Sequence, residues 1–138
     1  MKKLFLAAML AAAANFAYAD GESLTVYKDA NCGCCAAWIE HLREAGYKVT
    51  AVNSTDMAGV KKRLGVPETQ QSCHTGVVEA SGQVIEGHVP AAAVAKLIAT
   101  PAVKGVAVPG MPMNSPGMGQ LNGSLVTVDF EGKPFSKD

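Results

Sequence analysis

A single α/β domain built on a mixed sheet is predicted by three observations. Short runs of alternating, β-favouring residues recur along the chain, amphipathic helical stretches separate most of them, and Gly- and Pro-containing turns punctuate both. The order is β-α-β-α-β-β-α, followed by a loop rich in Met, Pro and Gly and one late strand.

Leu24-Thr25-Val26-Tyr27 alternates and opens the series as a strand. Lys28 to Asn31 follows as a polar loop, with Asn31 the expected N-cap of the first helix. In that helix Cys35, Trp38, Ile39, Leu42 and Ala45 form one apolar stripe, which Gly46 ends as a C′ residue. Cys35 thus leans toward the core and Cys32 stands at the tip. Tyr47 to Val52 is the second strand, parallel to the first because a helix intervenes. Asp56 to Leu64 reads as the second helix, with Met57, Val60 and Leu64 on the core face and Lys61, Lys62 and Arg63 elsewhere. Gly76 to Glu79 and Gln83 to Glu86 form a hairpin around Ala80-Ser81-Gly82, and a third helix runs from Ala91 to about Ala99. Val106 to Gly119 carries so many Pro and Gly residues that a structured loop without regular elements is expected. Ser124 to Phe130 alternates as the late strand, and Lys137-Asp138 should fray.

The element order is that of a thioredoxin-like domain. Such folds place a C-x-x-C pair, here Cys32 and Cys35, at the first strand-to-helix junction. The loop entering the third strand, Ser72-Cys73-His74-Thr75, lies across from it in that fold, and Gly87-His88-Val89 borders the same groove. Thioredoxins carry a cis-proline before the third strand. This chain has His74-Thr75 there, which argues against ordinary dithiol exchange with a peptide.

Residues 1–19 read as a secretory signal peptide: Lys2 and Lys3, an apolar run from Leu4 to Ala14, and Ala17-Tyr18-Ala19 as a small-x-small cleavage site. That run is short for a membrane span, so a soluble, exported protein of residues 20–138 is expected. That length suits one domain. A monomer is expected. Its ten basic and twelve acidic residues leave a net charge of −2. With neither a basic patch nor a basic amphipathic helix, nucleic acid and anionic membranes are not expected partners.

Four cysteines in an exported chain would ordinarily suggest disulfides that close long loops. Here Cys32, Cys34 and Cys35 share one tight turn and only Cys73 is distant. Concentration of this kind suggests chemistry. A helix N-terminus favours thiolate, which suits a redox nucleophile or a soft metal ligand. Adjacent Cys34 and Cys35 point to different sides of the chain, which fits bridging of several ions better than one tetrahedral zinc. Thiolates with thioethers and some imidazole select Cu(I). Met111 and Met113 sit in a proline-fixed loop with no helical or strand face to fill, so they join the candidate set beside Cys32, Cys34, Cys35, Cys73 and His88. Met57 reads as core. His41 lies seven residues beyond Cys34, about 10.5 Å along a helix, too far for both to bind one ion. Cys73 and His74 should point to opposite faces on entering a strand, leaving only one of them toward the site.

The motifs Cys32-Gly33-Cys34-Cys35 with Trp38 and His41-Leu42, Ser72 to Thr75, Glu86 to Pro90, and Val108 to Met113 with Ser115 to Met118 resemble the exported CopG copper-resistance proteins. The resemblance covers Leu24 to Met118. It implies a thioredoxin-like fold, periplasmic copper handling for resistance, and a copper cluster bridged by cysteine thiolates with redox activity between copper states; copper ions and other periplasmic copper-handling proteins are the expected partners. A thiol-disulfide oxidoreductase, with Cys32 attacking and Cys35 resolving, is the competing expectation. It leaves Cys34 and the methionine loop unexplained.

Overall fold

The computed structural model describes residues 21–138. The expected signal peptide, residues 1–19, lies outside the described residues. Strand β1 (Ser23–Lys28) is followed by helix α1 (Gly33–Glu44), strand β2 (Lys48–Asn53) and helix α2 (Met57–Arg63). A single 3-10 turn at Glu68–Gln70 leads to the hairpin β3 (Thr75–Val78) and β4 (Val84–Gly87). Then come α3 (Ala91–Ile98), β5 (Gly105–Val108), β6 (Val126–Asp129) and β7 (Pro134–Lys137).

All seven strands join one sheet in the order β2-β1-β3-β4-β5-β6-β7. Strand β1 is parallel to β2 and antiparallel to β3, β3 is antiparallel to β4, and β4 is parallel to β5. The topology is thioredoxin-like, with the expected β-α-β-α-β-β-α order extended by three further strands. Because β1, β4 and β5 all run one way and β3 runs against them, four segments meet at one end of the sheet. These are the exits of β1, β4 and β5 and the entrance of β3.

Alternation decides what each face covers. Leu24 and Val26 of β1, Ile85 of β4, and Val106 and Val108 of β5 pack with Trp38, Ile39 and Leu42 of α1 and Val94 and Leu97 of α3. Side chains of this size, fully withdrawn from water, each contribute about 1.5–3 kcal/mol. Thr75 and Glu86, paired across β3 and β4, face the other side and meet Lys61 of α2. At the end of α1, Gly46 adopts φ +98° and the chain closes a Schellman turn, with Tyr47 N–H on Leu42 O and Gly46 N–H on Arg43 O.

Several expectations need correcting. Val106 to Val108 does not open a loop: with Gly105 it forms β5, buried on both faces, so its sequence is a short apolar run without alternation. The chain end is not frayed. Strand β7 pairs with β6, and Asp138 and Leu125 exchange backbone hydrogen bonds at 2.9 and 3.0 Å. Asn31 is not the N-cap of α1; its N–H is taken by the Asp29 carboxylate, and Cys32 caps instead. Met57 is only half-buried, whereas Lys61, expected off the face of Met57, Val60 and Leu64, is 5% exposed.

Candidate metal centre

The exit of β1 delivers Cys32 to the N-cap of α1, where its Sγ accepts the Cys35 N–H at 3.3 Å. One helical turn then brings Cys32 and Cys35 within 5.3 Å (Cα to Cα), inside the reach of a disulfide, and the two are joined by one. Cys34 and Cys73 are free thiols. Cys34 Sγ lies 3.6 Å from Cys32 Sγ and 3.9 Å from Met111 Sδ. All four cysteine sulfurs fall within 4.8 Å of one another, and so do the ligand atoms of Cys73, His74 and His88.

Two loops bring Cys73 and His88 together. Cys73 Sγ is 3.1 Å from His88 Nε2 and 3.2 Å from His74 Nδ1. His88 Nδ1 is 2.7 Å from the carbonyl of Pro116. A carbonyl only accepts, so Nδ1 carries the proton and Nε2 presents its lone pair to Cys73. Cys73 then donates its thiol hydrogen to His88 and receives the Nδ1–H of His74. This arrangement leaves His74 Nε2, which is buried without a partner, as a bare acceptor and not as the costlier orphaned N–H.

Electrostatics follow from burial. Desolvation, with the neighbouring Cys34 adding to it, pushes the Cys73 thiol up to about 11. Burial, reinforced by His88 and Lys61, drives His74 down to about 3. His88 is also lowered by burial, against the opposing effect of its bond to Pro116. The group is therefore a thiol and two neutral imidazoles near pH 7.

The surroundings fix these donors. Trp38 donates to Val89 O at 2.8 Å and lies under His74, with ring centroids 4.3 Å apart. Glu86 binds Lys61 Nζ at 2.5 Å, Thr75 Oγ1 at 2.7 Å and the backbone N–H of Ser72 at 2.8 Å, which pins the loop before Cys73 from below. Ser72 Oγ donates to Gly110 O and so ties that loop to the methionine loop. Gly117, at φ +93°, lets the methionine loop lie flat on α1. A Cβ there would sit 2.8 Å from Cys34 O and 3.1 Å from both Trp38 N and His88 Nδ1.

Cys32, Cys34, Cys35, Cys73, His88 and Met111 are thus brought together. Met113 is 71% exposed and, among the described residues, makes no sulfur contact with them. His41 is not at the centre: its Nε2 accepts the Ala91 N–H at 3.0 Å, capping α3. His74 does face the centre beside Cys73, because β3 begins only at Thr75 and strand alternation does not yet apply. The Lys61–Glu86 pair escaped the sequence reading. Its signal was a lysine on the same stripe as Met57, Val60 and Leu64, with a lone glutamate in the apolar strand Val84–Gly87.

Comparisons with known proteins align with this geometry. A family model described as "Protein of unknown function, DUF411" matches residues 70–118. The solved structure "Copper resistance protein copG- Form 1" is 44% identical, with a TM-score of 0.74 over 85% of this chain and 97% of that one. "Copper resistance protein copG- Form 2" is 43% identical, with a TM-score of 0.75 over 86% and 99% of the two chains. No curated protein matches.

Proposed function

The chain belongs to the family of the copper resistance protein CopG, and on that premise we propose that it is a periplasmic copper-binding protein that holds Cu(I) in a multinuclear, thiolate-bridged site. Residues 1–19 serve as the export signal and residues 20–138 as the copper-binding domain. Cys32, Cys34, Cys35 and Cys73 bridge the ions once reduced, and His88 and Met111 complete the ligand set, which Met113, exposed on the same loop, joins by turning inward. The service is copper resistance, by sequestration or by redox conversion of the metal.

The observation that carries this reading is the convergence of four cysteine sulfurs within 4.8 Å, with Cys73 shared by an imidazole group. Thiolate, thioether and imidazole together are the donors that favour Cu(I). Copper is cargo here, and no chemistry beyond ligation is needed to hold it.

One observation favours a second reading: Cys32 and Cys35 form a disulfide at the position used by thiol-disulfide oxidoreductases. The two readings separate in one experiment, an anaerobic Cu(I) titration of the fully reduced protein against a competing chelator. The copper reading expects more than one ion per chain, and fewer after Cys73→Ser. No uptake, together with reduction of model disulfides, would establish the oxidoreductase instead. An unchanged stoichiometry in Cys73→Ser would remove Cys73 from the site.

A further inference from the structure

We propose that the disulfide form of this protein is itself a copper-binding species, holding a single Cu(I) on Cys34, Cys73, His88 and Met111. The Cys32–Cys35 bond then sets the capacity of the site, several ions when open and one when closed. The inference rests on the copper reading above and concerns how that site is regulated.

Forming the disulfide removes two of the four thiolates, since a disulfide sulfur carries no charge and is a poor donor. What remains is not scattered. Cys34 Sγ has Met111 Sδ at 3.9 Å, and Cys73 Sγ has His88 Nε2 at 3.1 Å. The Cys34 and Cys73 sulfurs lie within 4.8 Å. Two thiolates sharing one four-coordinate, tetrahedral ion stand about 3.8 Å apart, taking about 2.3 Å per metal–sulfur bond. The two pairs can therefore close on one ion with little movement.

Nothing that positions these four donors depends on Cys32 or Cys35 being reduced. His88 is held in the ligating tautomer by Pro116 O, an acceptor on another loop. Cys73 is carried by a loop whose Ser72 N–H is fixed to buried Glu86. Met111 is carried by the loop that Gly110 O ties to Ser72. Cys34 is half-buried beside the disulfide while Cys35 is turned fully into the core, so the bond leaves the Cys34 thiol facing the loops.

Donor number sets the number of ions. Two thiolates with one Cu(I) leave the site at −1 and, together with His88 and Met111, fill four coordination positions, so a second ion would have to share both sulfurs with no terminal donor left for it. Four thiolates support several ions because each sulfur can be shared.

The test titrates two preparations of the full mature chain with Cu(I), anaerobically, against bicinchoninate. One is fully reduced. The other carries the Cys32–Cys35 disulfide, verified by peptide mapping, with ascorbate keeping the copper cuprous and the disulfide intact. The disulfide form should retain one copper per chain and the reduced form more than one. Cys32→Ser/Cys35→Ser, which has the same remaining donors and no disulfide to lose, should also retain one. Cys34→Ser and Cys73→Ser, each in the disulfide form, should bind at least tenfold more weakly. The inference is overturned if the disulfide form leaves all copper with the chelator, or takes as many ions as the reduced form. A reduced form that also takes none would overturn the copper reading along with it.

Discussion

Cys73 enters the metal-free site as a thiol, because burial and the adjacent Cys34 hold its proton on up to about pH 11. A metal must displace that proton to bind the sulfur. His88, lowered below its ordinary value, already presents a neutral ring near pH 7 and adds no proton cost. Cu(I) affinity should therefore rise at least about tenfold per pH unit between pH 7 and 9, one proton being released from Cys73 at every pH in that window. Chelator competition at fixed pH values measures this slope, and Cys73→Ser should lower it by one proton. A flat profile would mean that Cys73 is no ligand. Residue types announced these donors well before any coordinates, since thiols, thioethers and imidazoles have few bland uses in such spacing. Their protonation was not legible, because it depends on which carbonyl faces His88 and how deeply His74 is buried.

At the scale of elements, the loop bearing Cys73 is anchored by a buried ion pair that joins α2 to the β3–β4 hairpin. Lys61→Met strands the Glu86 carboxylate under the loop and should cost about 3–5 kcal/mol, whereas Lys61→Met combined with Glu86→Gln, which removes the unpaired charge and keeps an acceptor for Ser72 N–H, should cost less. Urea denaturation of the metal-free protein checks both, and equal losses in the single and double variants would contradict the assignment. Strand β1 and the helices were legible because one buried face imprints a period of two or 3.6 on the sequence, and β3 and β4 were legible from the Ala80-Ser81-Gly82 turn between two β-favouring runs even though β4 is buried throughout. Strand β5 was not, because burial of both its faces erases the period. Strand β7 begins at Pro134, a residue that reads as a turn and is tolerated because this strand forms the sheet edge. The disulfide was not legible either. Spacing permits Cys32 to pair with Cys35, and it equally permits both to stay reduced.

Across the whole molecule, the parallel run of β1, β4 and β5 gathers the reactive loops at one end of the sheet, and a histidine is sealed beneath them. His74 is fully buried and its pKa falls from 6.5 to about 3. A lowered pKa means that the unfolded chain binds the proton first as pH falls, so the stability present above about pH 6.5 is lost progressively toward pH 3. Between pH 7 and 5 the metal-free protein should lose about 2 kcal/mol from this residue. His41 and His88, also lowered by burial, act in the same direction. Urea midpoints at pH 7, 6 and 5 measure the loss, and His74→Phe, which preserves a ring on Trp38 without a titrating group, should remove the His74 share of it and leave the smaller part due to His41 and His88. The same packing has an optical consequence. Trp38 is the chain's single tryptophan, lies wholly out of water, and packs at a tilt of 34° against the imidazole that touches Cys73. Its fluorescence is thus a built-in gauge of the centre, with an emission colour that reports the dry core and a brightness that follows whatever occupies the sulfur one ring away.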